Sequence, residues 1–575
     1  MISKTYLILF LYSFSINLVY SNTPDWSSSS ELPGNEICEW HNEHYVCYRD
    51  GNRANIYDLG PEALDQTLTE GAKHSLYYPV TVTNLMIPNE SVNRFFNEED
   101  ASPLRKFIFK IAKKISKFRS MDEIFTWLGL HKYPKHPDPK TPNKIPYMGH
   151  DIQKQRMGVT TNSIHGTRST TFSCAACHSS DLFGTKVLGM TNRFPKANEF
   201  FHLGQSMISK VPSAAFKLLF NPSDEDLYIF KRAKHALKYV EVRPPLELGL
   251  DTSLAQVGLS LSKRSEDEYA SLNPWRAKFP RRNRLRNVPA DSKPAVWWNL
   301  KYKTRWLSDG SIVSGNPIHT NFLWNEIGRG VDLRQLEGWL VRNTDTIEEL
   351  TAFVFSTKAP KYQKFFPNQI NIAKAKRGQK LFLKNCSGCH GKYEKAWENP
   401  EGLSYSEQLE TTKVWYHKKT PVIDVGTDPY RAEGMRYFYK DLNRLKISET
   451  IGTIVKPQKG YVPPPLVGVW ARLPYFHNNS VPTLFDVITP DFKRPKSYIA
   501  VPAHSKERDF DVVKNGYPAP KKIRSPYKED KEYHFNATRP GTSNQGHTKM
   551  LLTDDGREKF NYKEKLELIE FLKTL

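Results

Sequence analysis

The sequence predicts a mainly α-helical protein in which two like segments follow an N-terminal extension and are joined by long irregular connections. Three observations carry this. A helical run, Ile370 to Lys384, leads straight into a cysteine-containing turn at Cys386. The chain closes on a second helix, whose Leu568, Phe571, Leu572 and Leu575 recur at i, i+3, i+4 and i+7 and so form one apolar face. The turn Cys386-Ser387-Gly388-Cys389-His390 also has a counterpart some two hundred residues earlier, Cys174-Ala175-Ala176-Cys177-His178.

Cysteines at i and i+3 with histidine at i+4 fall on one face of a tight helical turn. Two thiols can then reach the two vinyl groups on one edge of a porphyrin while the imidazole binds its iron. Small residues between the cysteines let the ring lie against the backbone. A redox dithiol would not need a histidine after it twice over. A zinc site would need all four cysteines together. C-x-x-C-H in an exported chain is therefore a covalent haem c site, and the two segments are two cytochrome c-like haem domains. Cys174, Cys177, Cys386 and Cys389 are the candidate attachment residues, with His178 and His390 as iron ligands.

The domain plan follows. Residues 1–21 read as a signal peptide: Lys4 supplies the positive charge, Thr5 to Val19 is apolar, and Val19-Tyr20-Ser21 offers a cleavage site. An uncleaved anchor is the alternative, for which the apolar run is short. Residues 22–145 form the N-terminal region, 146–342 the first haem segment and 343–575 the second. Asp345 is placed to cap a helix near 346–350. In an oxidising compartment Cys38 and Cys47, the remaining two of six cysteines, are expected to pair in a disulfide. The basic stretch Leu104 to Phe118 repeats Phe107, Ile108, Ile111, Ile115 and Phe118 at helical spacing. It is expected to pack on the rest of the protein, with a membrane-surface role as the alternative. A Pro-rich loop, Tyr133 to Pro146, follows.

At 575 residues, with 39% hydrophobic and 12% aromatic side chains, the chain can bury a large core. Its net charge, 83 − 61 = +22, suits acidic partners or the cell envelope. Nucleic acid is not expected as a partner, nor is stable insertion in a membrane. The expected location is periplasmic or secreted.

Function turns on the second axial position of each iron. For the C-terminal haem the candidates are His547, on the loop before the closing helix, and Met550 and His477. For the N-terminal haem Met190, His150, His165 and His202 are available and none stands out. Between the motifs, the adjacent Trp297 and Trp298 could line a pocket, relay electrons or simply be buried; they are the candidate catalytic residues.

These residues resemble the di-haem cytochrome c peroxidase superfamily, and within it the rubber oxygenase branch. The resemblance rests on the paired motifs and on Trp297-Trp298-Asn299 followed by Thr304 to Ser311. It rests also on Pro464-Pro465-Leu466 through Leu484 and on Ser543-Asn544-Gln545-Gly546-His547 leading to the C-terminus. It implies an oxidoreductase, dioxygenase or peroxidase, in which the N-terminal haem on His178 activates dioxygen or hydrogen peroxide, with Trp298 beside its oxygen-binding face. His390 and His547 would hold the second haem, although the peroxidase branch would favour Met550. Calcium sits between the haem domains in some relatives. The partners implied are a small redox protein or an apolar organic substrate. The competing reading is a pure electron-transfer cytochrome with both irons six-coordinate.

Overall fold

Neighbouring residues Trp297 and Trp298 point into different hydrophobic cores, and the fold is organised around that division. The computed structural model describes residues 24–41, 44–77, 83, 85–98, 101–116, 118–146, 155–164 and 167–575. The expected signal peptide, and His150 and His165, lie outside them. Helices hold 42% of residues and strands 13%, in keeping with a mainly α protein.

The chain opens with a hairpin, β1 (Glu36–His41) and β2 (His44–Arg49). Helix α1 (Pro61–Tyr77) follows, then α2 (Asn89–Asn97) and the basic α3 (Pro103–Ser116). Past the first motif come α4 (Ser253–Ser262), α5 (Pro317–Gly328) and α6 (Thr344–Ser356). The second motif is entered by α7 (Ile372–Asn385) and followed by β3 (Lys392–Lys395) and β4 (Thr411–His417). Helix α8 (Tyr562–Leu572) closes the chain.

Each large core is built on a helix crossing with glycine at the contact. In the first, α1 lies on α6, and Gly71 meets the backbone of Glu349 so closely that a Cβ would strike its carbonyl. In the second, α7 lies on α8, and Gly378 meets the Glu567 carbonyl in the same way. Asn371 caps α7 by accepting from the Lys374 N–H at 2.9 Å, and Asn561 caps α8 by accepting from Glu564 at 3.0 Å. The α8 face read from sequence, Leu568, Phe571, Leu572 and Leu575, is buried throughout.

The cores are interleaved along the chain rather than consecutive. Helix α6, placed by sequence at the start of the second segment, contributes Ile347, Leu350, Phe353 and Phe355 to the first core, as do Met435 to Val455. Leu182, Val187 and Met190 cross to the second. Asp345 lies in the first turn of α6, whose cap position is Asn343. Residues 22–145 likewise form no unit of their own. Helix α1 joins the first core, while the hairpin pairs with β4 to make one sheet in the order β1-β2-β4-β3. An isolated two-stranded hairpin is marginal in water and gains stability by adding to a sheet edge.

The Cys38–Cys47 disulfide is present, bridging paired positions of β1 and β2. The hairpin it staples covers the second motif: Tyr48 Oη donates to the Ser387 carbonyl at 3.2 Å, and a Cβ at Gly388 would run into the His41 ring. Closing a loop this short constrains the unfolded chain by about 2–3 kcal/mol. Cys38→Ser with Cys47→Ser should therefore lower stability by about that amount, and denaturant titration should show the loss first in absorption from the second motif. A loss at both motifs together would mean the hairpin has no local role.

Candidate functional site

One continuous cavity of about 610 Å³ runs between the two motifs, and Cys174, Cys177, His178, Cys386, Cys389 and His390 all line it. The first motif is a single tight turn in which Cys177 N and His178 N both donate to the Cys174 carbonyl. The second extends α7: Cys386 N still donates to Phe382 O, and His390 N donates to Cys386 O at 3.0 Å. The small residues inside the motifs have backbone neighbours. Gly158, at φ +89°, passes directly over Ala176, and the His41 ring fills the space above Gly388.

None of the four motif thiols is tied in a disulfide. Burial pushes Cys174 up to about 11 and Cys177 and Cys386 up to about 12. A redox dithiol needs the opposite, a thiol pulled down towards neutrality, so thiol exchange is a poor use of this site.

The two motif imidazoles are held alike. His178 Nδ1 bonds the Ala295 carbonyl at 2.9 Å and His390 Nδ1 bonds the Pro464 carbonyl at 2.9 Å. Each arrangement leaves Nε2 as the lone-pair nitrogen facing the cavity, the usual support of a metal-bound imidazole. Burial pulls both rings down in basicity, His178 to about 4, so they stay neutral and able to ligate.

His547 stands opposite His390. Their rings are 6.3 Å apart centre to centre and 12° from parallel. Two metal–imidazole bonds of about 2 Å, with about 1.1 Å from each nitrogen to its ring centre, give about 6.2 Å for a metal held end-on between two imidazoles. The pair thus fits a shared iron. Sequence built this position with care: His547 sits at φ +63° behind Gly546, and its N–H donates to Val425 O at 2.9 Å. Phe476 stacks on its ring at 5.4 Å, and the Arg494 guanidinium, over that Phe476, donates to Gly546 O at 2.9 Å. Burial, with His390 and Arg494 adding to it, holds His547 at about 3.

The other candidates sit in different surroundings. Met550 lines the same cavity but is 39% exposed. His477 is stacked on Tyr461 at 4.0 Å. Met190 is buried in the second core away from the cavity lining, and His202 bonds Val242 O. Among the described lining residues the imidazoles are His74, His178, His390, His477 and His547, and the one thioether is Met550. His74, on α1, bonds Glu349 of α6 at 2.8 Å.

The tryptophans divide their work. Trp297 lines the cavity with its ring 5.2 Å from His178. Trp298, expected beside an oxygen-binding face, is instead fully buried in the second core and does not line the cavity. Its Nε1 donates to Val467 O at 2.9 Å, and the turn at Trp297-Trp298, closed by Leu300 N donating to the Trp297 carbonyl at 2.9 Å, sends the two rings to different cores. A short path results. It runs from His178 through Ala295 and the chain to Trp298, then across to Val467 and along to Pro464 and His390.

Sequence reasoning missed a group of cations on the cavity wall, of which Lys303 is buried and Lys293 and Arg472 are half-buried. Lys293, Lys303 and Arg472 line the cavity, and among the described residues no carboxylate forms an ion pair with any of them. Lys293 Nζ donates to the carbonyls of Arg472 (3.1 Å) and Pro474 (2.5 Å). Burial, with the neighbouring Arg472 charge, brings Lys303 down to about 8. An anion seated among them would offset these charges, and the carboxylates of a haem would supply one. Nothing in the sequence sets these lysines apart from the many on the surface. Among the described residues the one group of three acidic, thiol or imidazole side chains at ligand distance is Glu36, Cys38 and Cys47, and its cysteines are tied in the disulfide.

No helix among the described residues is long and apolar enough to cross a membrane. Two uncharacterised proteins of Sinorhizobium fredii are similar to this chain. The protein y4iM is 25% identical over 233 residues, covering 36% of this chain and 50% of its own length. The protein y4iJ is 24% identical over 269 residues, 38% of this chain and 41% of its own. The chain thus spans half or less of the curated relatives it matches. Residues 460–499 match the family described as RoxA-like, cytochrome c-like, the stretch that supplies Pro464, Arg472, Phe476, His477 and Arg494, and with it the chain carries a RoxA-like cytochrome c region, which implies haem c.

Proposed function

We propose that this protein is an exported di-haem c-type cytochrome oxidoreductase. In this reading Cys174, Cys177 and His178 would hold the reactive haem, and Cys386, Cys389, His390 and His547 would hold an electron-relaying one. The observation that carries it is the asymmetry along one cavity: an imidazole faces His390 at metal-sharing distance, while His74, the imidazole on α1, is engaged by Glu349. A filled axial position favours electron transfer and an open one favours reaction with dioxygen or peroxide. When bound, the haems supply one-electron transfer and activation of the oxidant.

The chain's own residues set the terms. Ala295 and Pro464 orient the proximal imidazoles. Leu254, Val257, Ile318, Trp324, Leu350 and Val354 line the cavity and keep water from an apolar substrate. Lys293, Lys303 and Arg472 would neutralise the haem carboxylates. Trp298 and Val467 provide the connection for electrons between the two sites. The apolar lining favours an oxygenase over a peroxidase: of the acid–base side chains described there, Asp251 is held by Ser253 and His74 by Glu349. A small redox protein or an apolar organic compound is the partner this arrangement suits.

Electron paramagnetic resonance and optical spectra of the mature protein test the reading. One low-spin haem beside one high-spin or oxygen-bound haem, the latter responding to dioxygen or peroxide, is the expected result. Two low-spin irons, unresponsive both oxidised and half-reduced, would leave a pure electron carrier.

A further inference from the structure

The helix α3 turns only part of its expected face inward: Ile108 and Phe118 are half-buried, Phe118 against Trp127, while Phe107 and Ile111 are exposed. Phe109 is its buried side chain, held against Phe95 and Phe220. Leu104, Phe107 and Ile111, spaced one turn apart along one stripe, are 65%, 63% and 44% exposed. Leu218 extends the stripe: it is 66% exposed, and its carbonyl is held by Arg105 Nε at 2.7 Å. Lys106, Lys110 and Lys114 form an exposed row beside the stripe, Lys217 stands next to Leu218, and α3 contains no acidic residue.

We propose that this face docks the protein on an anionic phospholipid surface, with α3 lying in the plane of the headgroups. The charge pattern selects this occupant. Apolar side chains at one stripe would enter the acyl boundary while the lysines beside them reach phosphates, the arrangement of in-plane amphipathic helices. An acidic protein would match the lysines but leave the large apolar side chains without a partner of their kind. A second copy would bring the same lysines against themselves. The helix has 14 residues, too short to cross a bilayer, so the contact is peripheral and salt-sensitive. It stands apart from the cavity and does not depend on the haem reading.

The test is sedimentation of the full-length mature protein with vesicles of phosphatidylglycerol and phosphatidylcholine, against vesicles of phosphatidylcholine alone. Binding to the acidic vesicles is expected to fall at least tenfold in Phe107→Ser with Ile111→Ser, and to a similar extent in the triple variant Lys106→Glu, Lys110→Glu, Lys114→Glu. It should also fall in 0.5 M salt. Both variants change exposed side chains, and an unaltered far-ultraviolet circular dichroism spectrum and melting temperature show that each has folded. Equal binding to both vesicle types, or binding indifferent to both variants, overturns the proposal. So does a dimer by light scattering that only Phe107→Ser with Ile111→Ser dissolves.

Discussion

His547→Gly is expected to abolish the low-spin signature of the second haem and to leave the first unchanged. The removed ring is the one facing His390 at 6.3 Å, and glycine suits the local φ of +63°, so the loop keeps its path. Added imidazole should enter the vacated space and restore the low-spin spectrum, which a merely structural histidine would not allow. His547→Met should instead raise the midpoint potential of that haem by on the order of 100 mV, as a thioether favours the reduced iron. Met550→Ala serves as the control and should leave spectrum and potential alone, its side chain being partly in solvent. A His547→Gly protein whose spectrum is indistinguishable from the parent would sink the axial assignment.

Gly378→Val should be the most damaging change remote from the motifs. A Cβ there is directed at the Glu567 backbone carbonyl and the Phe571 side chain, and no rotamer change can move a backbone. The two helices must separate, which loosens Phe382, Leu568 and Phe571, all buried. Overpacking of this kind costs about 3 kcal/mol or more, or roughly 6–12 °C in Tm for a unit of this size. Because α7 runs directly into Cys386, the unfolding followed at the second haem should shift most. A melting temperature within a degree of the parent would show that the crossing is looser than its geometry.

Much of this was legible in the sequence, and the limits are physical. The motifs, the closing helix and the disulfide depend on short-range spacing, which a sequence displays directly. Periodicity in α3 locates a helix but cannot say which of two apolar faces turns inward: Phe109 was the buried one and Phe107 the exposed one. The Trp297–Trp298 pair announced itself by composition, whereas the division of its rings between two cores needed the fold. Interleaved cores also defeat any linear cut of the chain, since α6 belongs with α1 across nearly three hundred residues. The carbonyls of Ala295 and Pro464 orient two imidazoles, and backbone groups carry no residue-type signal.

On the proposed reading of an exported di-haem protein, the hairpin over the second motif would set an order on maturation. Cys38 and Cys47 would leave the cytoplasm first, and their sheet partner Thr411–His417 would follow only after most of the chain. Four more thiols pass through the same oxidising space in the meantime and must be kept for porphyrin rather than for one another. Oxidation of the early pair, while the late cysteines are still inside the cell or guarded, removes two competitors from that sorting. Ligation of the last haem then meets a preformed clasp instead of a loose strand, and an exported protein assembled out of this sequence would be a mispaired one.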